Sequence, residues 1–208
     1  MRIIGLTGGI GMGKSTAAAA FRRAHIPVFD ADLAVHRLQA KGGRAVRVIE
    51  AAFPGVVRGG AIDRAALRQA VLADRTALTR LEHILHPMVE DAERAFVGRA
   101  RRQGCRAVVL DIPLLFEVQG DKRVDTVMVV SAPKAIQIHR VGLRRRMNRA
   151  DVEAIIARQM PDSEKRRRAD VVVKTGLSRN HTLRILTRFI QTLRHDPQRP
   201  VRHRDHRP

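Results

Sequence analysis

Apolar residues in this chain form short unbroken runs that are separated by longer stretches with helical spacing. Five runs lack the apolar and polar alternation of a half-exposed strand, which indicates strands covered on both faces in a parallel sheet. These predicted strands cover residues 2–7, 27–30, 106–111, 124–130 and 170–173. A glycine-rich loop and a helix over about 14–24 follow the first strand, and a helix over about 178–194, capped by Ser178, follows the last. The pattern therefore predicts an α/β fold in which a five-stranded parallel sheet is flanked by helices.

A long helical stretch separates the second and third predicted strands. It contains about 75 residues, well beyond the length of a single crossover helix. We therefore expect an inserted helical lobe over about 31–103. Its apolar positions recur every three or four residues and include Leu67, Leu78, Leu81 and Leu85, which predicts an inward face. The predicted helices cover 31–40, 43–53, 63–73, 76–85 and 88–103, with turns at 54–60 and at His86-Pro87.

An arginine-dense connection joins two helical stretches after the fourth predicted strand, within residues 133–168. Asn148 opens the second stretch, with Asp151 three positions further on, as a capping residue would. The segment therefore has the form of a helical hairpin with a basic tip, which is either a solvated surface or a lid that closes over phosphates. The arginines of this tip include Arg140, Arg144, Arg145 and Arg146. Residues 195–208 hold three prolines and one apolar residue, which predicts a disordered basic tail after a folded domain over 1–194.

The charge balance is strongly basic, with 40 Lys and Arg residues against 20 Asp and Glu, a net charge of +20. Such an excess implies a polyanionic partner: nucleic acid, a membrane surface or a small substrate with many phosphates. The chain has no Trp or Tyr and six Phe, so it offers few stacking platforms, and we expect at most weak, non-specific contact with nucleic acid. No apolar run reaches the ~18 residues of a membrane span. The start of the chain lacks the pattern of a secretory signal, and its single cysteine, Cys105, gives no disulfide or zinc pattern, so we expect a cytoplasmic protein.

The glycine-rich loop lies in the sequence TGGIGMGKSTA, residues 7–17. It satisfies the pattern G-x-x-x-x-G-K-[ST] between a strand and a helix, where glycines let backbone N–H groups surround a phosphate. The helix N-terminus adds its positive end. We expect Lys14 to contact the β- and γ-phosphates of a nucleoside triphosphate, Ser15 to hold Mg²⁺ and Thr16 to contact the α-phosphate. The candidate nucleotide-binding residues of the loop are Gly8, Gly11, Met12, Gly13, Lys14, Ser15 and Thr16.

Three aspartates follow predicted strands, at the sheet edge where doubly wound folds bind their ligands. Asp30 and Asp32 come just after the second strand, and Asp111 ends the third. Asp32 is a candidate general base for an attacking hydroxyl, or it is an acidic residue in a first helical turn. Asp30 suits a helix N-cap. Asp111 is either a ligand of the metal or the capped end of a strand.

Seven sequence blocks together indicate a known family. They are TGGIGMGKST, VFDADLAVHRL, AIDRAALRQAV, LEHILHPMV, DIPLLFE, QIHR…RQ and ADVVV. In this order and spacing they resemble the dephospho-coenzyme A kinase family along nearly the whole domain. The resemblance implies a P-loop kinase core, an inserted helical lobe that binds coenzyme A and a helical lid over about 133–168. It also implies a transferase that uses ATP and Mg²⁺ to phosphorylate the 3′-hydroxyl of dephospho-CoA, the last step of coenzyme A biosynthesis.

The resemblance also implies roles for individual residues. Asp32 is the base, Lys14 neutralises the transferring phosphoryl group, and Arg140 and Arg144 belong to the lid. The residues that face the acceptor are Asp32, Arg64, His86, Leu114, Leu115 and Glu117. An equally open interpretation of His86 is a histidine that ends a helix before a proline.

Two departures from the family pattern lie near the predicted nucleotide site. Many members have an acidic residue after the lid arginine, where this chain has Arg145. They also have an asparagine-containing turn after the fifth strand, where this chain has Lys174-Thr175-Gly176. Two other functions stay open from the residues alone: a different nucleoside or nucleotide kinase, and a P-loop ATPase that nucleic acid stimulates. We expect a monomer.

Overall fold

The computed structural model describes residues 1–72, 74–145 and 147–195. The chain divides into two compact units. The core unit comprises Met1–Phe29 and the chain from Ala100 onward, and the inserted unit comprises Asp30–Arg99. The predicted tail from 196 and the residue Arg146 lie outside the described residues. Within the described ranges, no helix combines the length and the apolar character that crossing a bilayer requires.

The secondary structure alternates between short strands and helices. The strands are β1 (Arg2–Thr7), β2 (Val28–Asp30), β3 (Val57–Arg58), β4 (Ala61–Ile62), β5 (Ala107–Asp111), β6 (Thr126–Ser131) and β7 (Val171–Lys174). The helices are α1 (Lys14–Arg23), α2 (Ala31–Gln39), α3 (Val46–Ala52), α4 (Arg64–Leu72), α5 (Arg75–Arg102), α6 (Lys134–Arg145), α7 (Arg149–Ala157), α8 (Asp162–Arg168) and α9 (Arg179–His195). A short 3-10 helix covers Gly120–Arg123.

The core unit is built on a five-stranded parallel sheet in the order β2-β5-β1-β6-β7. This confirms the predicted fold class and all five predicted strands. The strands β5 and β6, on either side of the central strand β1, are buried along their whole length, which is why their sequences are apolar without alternation. Helices α1 and α9 pack together through an edge-to-face contact of Phe21 and Phe189, whose ring centroids are 6.2 Å apart.

Three predicted helix caps are present. Asp30 Oδ1 accepts from the Leu33 N–H at 2.9 Å, and Asn148 Oδ1 accepts from the Asp151 N–H at 2.8 Å. Ser178 Oγ accepts from the His181 N–H at 3.1 Å. Each side-chain oxygen pairs a first-turn N–H that has no partner within its helix, so these local sequence signals are enough to locate the starts of α2, α7 and α9.

The inserted unit is helical and has its own apolar core, which includes Ile49, Phe53, Leu67 and Leu85. The predicted turn at 54–60 contains the short strand β3, which pairs with β4 in a two-stranded hairpin connected by Gly59 and Gly60. The predicted inward position of Leu78 is wrong, because this side chain is 48% exposed.

Helix α5 corrects another prediction. The expected break at His86-Pro87 does not occur, and one helix of 28 residues runs through Pro87. Proline removes one N–H from the helical ladder, and it normally kinks or ends a helix. Leu81, Leu85 and Met88 nevertheless pack against the same core on both sides of Pro87. Burial of this continuous apolar stripe therefore outweighs the loss of one hydrogen bond.

Because Pro87 lies inside a helix, we expect Pro87→Ala to increase the free energy of unfolding, by up to about 3 kcal/mol. Alanine restores the N–H that pairs with the carbonyl group four residues earlier. Chemical denaturation followed by circular dichroism measures the effect. Pro54→Ala is the control, since Pro54 lies in an exposed turn outside the helices. A Pro87→Ala protein less stable than the unaltered chain would contradict this account of α5.

Candidate active site

The glycines of the phosphate loop are required by close backbone contacts. A Cβ atom on Gly8 would lie 2.6 Å from the carbonyl oxygen of Val130 in β6. Gly11 has a φ of +74°, and its Cβ would lie 2.9 Å from the carbonyl oxygen of Gln137 in α6. Gly13 has a φ of +88° and precedes α1 with no side-chain cap on the first turn. The loop is therefore held between a strand and a helix with its shape fixed by glycine.

Lys14 and Asp111 form an ion pair beside the loop. The Lys14 Nζ atom lies 2.7 Å from Asp111 Oδ1, and the two side chains are 20% and 5% exposed. Asp111 ends β5 and pairs in register with Leu6 of β1, one residue before the end of that strand. The sheet thus brings the predicted phosphate-binding lysine and the predicted metal carboxylate into contact. Because both side chains are largely shielded from water, salt screens their attraction less than that of a surface pair.

The oxygen donors near the loop suit Mg²⁺. Ser15 is exposed at the start of α1, and Asp111 supplies a carboxylate. Mg²⁺ is usually bound through one or two protein oxygens, with phosphates and water completing its octahedral shell. The described part of the chain contains no cluster of three or more His, Cys, Asp or Glu side chains able to hold a metal by themselves. The donor set therefore fits an ion that arrives with the nucleotide.

Arg140 of α6 connects the loop to the turn after β7. Its guanidinium group donates to the Gly11 carbonyl at 3.3 Å, to Thr175 Oγ1 at 3.2 Å and to the Thr175 carbonyl at 2.7 Å. Thr175 Oγ1 in turn donates to the Met12 carbonyl at 2.6 Å. The described acceptors of Arg140 are neutral oxygens, so its positive charge is available to an anionic ligand. Thr175, which lies where the chain departs from the family pattern, thus helps to hold the phosphate loop in place.

A pocket of about 190 Å³ lies beside this network in the core unit. Its lining combines the loop with the starts of α1 and α9 and is mostly polar or glycine. The lining residues are Gly11, Gly13, Thr16, Arg140, Thr175, Arg179 and Thr182. The sequence does not indicate Arg179 and Thr182, because helix spacing alone does not show that the first turn of α9 faces a pocket.

The segment after β5 contains three predicted acceptor residues in different environments. Leu114 is 43% exposed, whereas Leu115 is fully buried and packs against Gly5 of β1. Glu117 Oε1 accepts from the Met160 N–H at 3.2 Å and lies 2.9 Å from the Nζ atom of Lys165, which is 1% exposed. Leu115 therefore belongs to the core and has no surface for a ligand.

The charge state of Glu117 is set by these contacts. Burial raises the pKa of Glu117, but the Lys165 ammonium group and backbone N–H donors, including that of Met160, outweigh burial and leave the pKa below its ordinary value of 4.5. Lys165 has no well-aligned hydrogen-bond acceptor in the described residues, so the carboxylate compensates its buried charge mainly through proximity. The pair ties α8 to the segment after β5.

The inserted unit carries the other predicted acceptor residues. Asp32, in the first turn of α2, Arg64, at the start of α4, and His86, inside α5, are all exposed. The alternative that His86 ends a helix is wrong, because α5 continues to Arg102. The side chain of Arg144 lies outside the part of the chain that the structure describes.

The glycine loop, the Lys14–Asp111 pair and the parallel sheet define a P-loop kinase. The family model of dephospho-CoA kinases matches residues 2–180, and the chain belongs to that family. Its reaction is the ATP-dependent phosphorylation of dephospho-CoA to coenzyme A. The predicted family, activity and small-molecule substrate are thereby confirmed, in preference to a different nucleotide kinase or a nucleic-acid-stimulated ATPase.

Relatives from several bacteria match most of the chain. A dephospho-CoA kinase of Paramagnetospirillum magneticum is 58% identical over 80% of this chain and 78% of its own length. That of Gluconobacter oxydans is 48% identical over 93% of this chain and 98% of its own. Among solved structures, TT1252 from Thermus thermophilus is 35% identical with a TM-score of 0.80, covering 92% of this chain and 96% of that one. Dephospho-CoA kinase from Campylobacter jejuni, at 22% identity and a TM-score of 0.71 over the same shares of the two chains, has the same fold.

The contact of Gly11 with α6 predicts a large effect of a single methyl group. We expect Gly11→Ala to weaken ATP binding and to lower the free energy of unfolding. The loss of stability should exceed about 1–2 kcal/mol, the cost of backbone strain alone, because the added methyl group also meets the Gln137 carbonyl. Isothermal titration and chemical denaturation measure the two effects. Gly104→Ala is the matched control, with a φ of +69° and no atom within 4 Å of the added Cβ. Equal losses of stability in the two variants would contradict a role for the contact.

The lowered pKa of Glu117 predicts a stability difference that depends on pH. A carboxyl group with a lowered pKa stabilises the fold above its ordinary value of 4.5, and this contribution is lost as pH falls through the lowered value. Glu117→Gln is therefore expected to be less stable than the unaltered chain at neutral pH, with the gap closing in acid. Urea denaturation across this range measures it, with Glu164→Gln in α8 as a control that keeps the Lys165 pair. A gap that does not change with pH would contradict the account.

Proposed function

We propose that the phosphate loop holds ATP with Mg²⁺ and that Asp32 removes the proton from the 3′-hydroxyl of dephospho-CoA. The observation that carries the first half is the ion pair of Lys14 and Asp111 beside a loop shaped by glycine. The observation that supports the second is the position of Asp32, exposed in the first turn of α2, while its neighbour Asp30 is used as the helix cap. Asp32 therefore has a carboxylate available for chemistry.

In this proposal the core unit neutralises the phosphates. Lys14 contacts the β- and γ-phosphates, Thr16 contacts the α-phosphate, and Ser15 and Asp111 hold Mg²⁺. The metal supplies charge neutralisation to the phosphate oxygens when it is bound. Lys14 then exchanges part of its interaction with Asp111 for the incoming phosphates. In this proposal both partners of the ion pair act on the phosphates of ATP: Lys14 contacts them directly, and Asp111 acts through Mg²⁺.

Arg140 acts on the transferring group from α6. Its guanidinium group is held by the loop and by Thr175, so it is oriented before the nucleotide arrives. Preorganised positive charge near a transferring phosphoryl group is worth about 10³–10⁵ in rate in related enzymes. The pocket of about 190 Å³ beside Arg140 is proposed to take the nucleoside part of ATP, with Arg179 and Thr182 as its polar contacts. The segment over 133–168 is the proposed lid.

The predicted acceptor residues are proposed to contact dephospho-CoA, each according to the chemistry of its side chain. Arg64 and His86 are exposed donors suited to the pyrophosphate of dephospho-CoA. Leu114 and Glu117 form the acceptor contacts of the core unit, and buried Leu115 supports them from within the core. Leu114 offers an exposed apolar surface, and Glu117 fixes the segment through Lys165.

The chemical step is an in-line transfer. The 3′-oxygen attacks the γ-phosphorus as its proton passes to the Asp32 carboxylate, and the bond from the γ-phosphorus to the β,γ-bridging oxygen breaks. ADP leaves with that oxygen, the transferred group becomes a 3′-phosphate, and the acceptor is thereby converted to coenzyme A. A general base of this kind contributes about 10²–10⁴ to the rate.

The net charge of +20 fits two anionic reactants, although it exceeds what one active site requires. Exposed charges such as Arg167 of α8 are proposed to maintain solubility and to attract polyanions weakly. We also propose that the protein acts as a monomer in the cytoplasm, where ATP is available. Gel filtration with light scattering measures the oligomeric state directly.

Replacement of Asp32 tests the proposed base. We expect Asp32→Asn to reduce turnover by about 10²–10⁴ while ATP affinity stays unchanged, because the amide keeps the shape of the side chain and cannot accept the proton. ADP release with ATP, Mg²⁺ and dephospho-CoA measures turnover, and titration calorimetry measures affinity. Asp30→Asn is the matched control, since asparagine also caps helices well and the variant should keep its turnover. Normal turnover of Asp32→Asn would remove Asp32 from the role of base.

A further inference from the structure

Gln159 reaches the phosphate loop from the connection between α7 and α8. Its Oε1 atom accepts from the Ile10 N–H at 3.0 Å. The same oxygen lies 3.1 Å from the position of a Cβ atom on Gly9. The carboxamide group therefore lies against Gly9 and Ile10, in the first half of the loop.

The connection that carries Gln159 is fixed on both sides. The Gln159 N–H donates to the Ile156 carbonyl at the end of α7, and the next residue, Met160, donates its N–H to Glu117. At the start of α8, Asp162 accepts a hydrogen bond of 2.8 Å from Ser131 at the end of β6. The backbone at Gln159 is thus anchored to the core unit independently of its side chain, and its carboxamide is oriented in advance.

A carboxamide group has an acceptor end and a donor end on one carbon atom. In Gln159 the acceptor end is used by the loop, and within the described residues the donor end, Nε2, has no partner. Nε2 is held at the loop because it shares a carbon atom with Oε1. The bond from the Ile10 N–H uses only Oε1 and leaves both hydrogens of Nε2 free. Phosphate oxygens bound at the loop would accept them.

We propose that Gln159 Nε2 binds the terminal phosphoryl group of ATP, so that Gln159 is a further phosphate-binding residue that distinguishes ATP from ADP. This rests on the proposed placement of the phosphates, in which Thr16 and Lys14 receive the α-, β- and γ-phosphates in order toward the first half of the loop. The outermost phosphate is then the one nearest Ile10. A neutral donor fits this place, because it adds a hydrogen bond to the γ-phosphate without trapping the ADP product.

The test replaces the donor and keeps the acceptor. Gln159→Glu retains an oxygen for the Ile10 N–H and puts a second, negatively charged oxygen where Nε2 was. We expect the Kd for ATP to increase about tenfold or more and the Kd for ADP to change less than about threefold, because only ATP has the phosphate that meets this atom. Titration calorimetry with Mg²⁺ and each nucleotide, without acceptor, measures both. Gln191→Glu, on the exposed side of α9, is the control for the added charge.

The ratio of the two affinities decides the proposal. Equal changes in the Kd for ATP and for ADP would overturn it, since a residue that only fixes the loop affects both nucleotides alike. If Gln159→Glu unfolds at a lower temperature than the control, Gln159→Met replaces it, and a reduced preference for ATP over ADP supports the proposal whereas an unchanged preference overturns it. If the unaltered chain binds neither nucleotide, the proposed function fails as well. If ATP binds and only the ratio is unchanged, the proposed function stands.

Discussion

The ion pair between Lys14 and Asp111 is the interaction around which the proposed nucleotide site of the core unit is arranged. It exists because β1 and β5 are parallel neighbours whose register ends at Leu6 and Asp111, one residue before β1 ends and the glycine loop follows. Parallel strands bring their carboxyl ends to the same edge, so a loop after one and a carboxylate after the other must meet there. The same apolar runs that form the sheet therefore bring Lys14 and Asp111 to within 2.7 Å of each other.

Two consecutive residues, Gln159 and Met160, connect the phosphate loop to the segment after β5. Gln159 contacts the phosphate loop, and Met160 contacts Glu117, which is paired with buried Lys165. The connection between α7 and α8 therefore touches both the proposed nucleotide site and a segment proposed to contact the acceptor.

Local signals made much of the fold predictable. The strands are short apolar runs, the loop has a contiguous motif, and Asp30, Asn148 and Ser178 each cap a helix within three residues of themselves. The predictions that were wrong needed tertiary information: the break in α5 ignored a core that continues past Pro87, and helical spacing placed exposed Leu78 inside. Thr175 and Gln159 bond to the loop from 163 and 149 residues away, and no spacing rule finds such partners. The acceptor residues were inferred from family resemblance and stay predictions.

The contact of Gly11 with α6 has a mechanical consequence. The loop backbone and the Gln137 carbonyl approach so closely that a methyl group does not fit between them, and Arg140 bonds to the same glycine one turn further along the helix. Helix α6, the first helix of the arginine-rich hairpin, is therefore packed directly against the phosphate loop. We therefore expect any opening of the proposed lid to occur in the part after α6, with Arg140 still bonded to the loop.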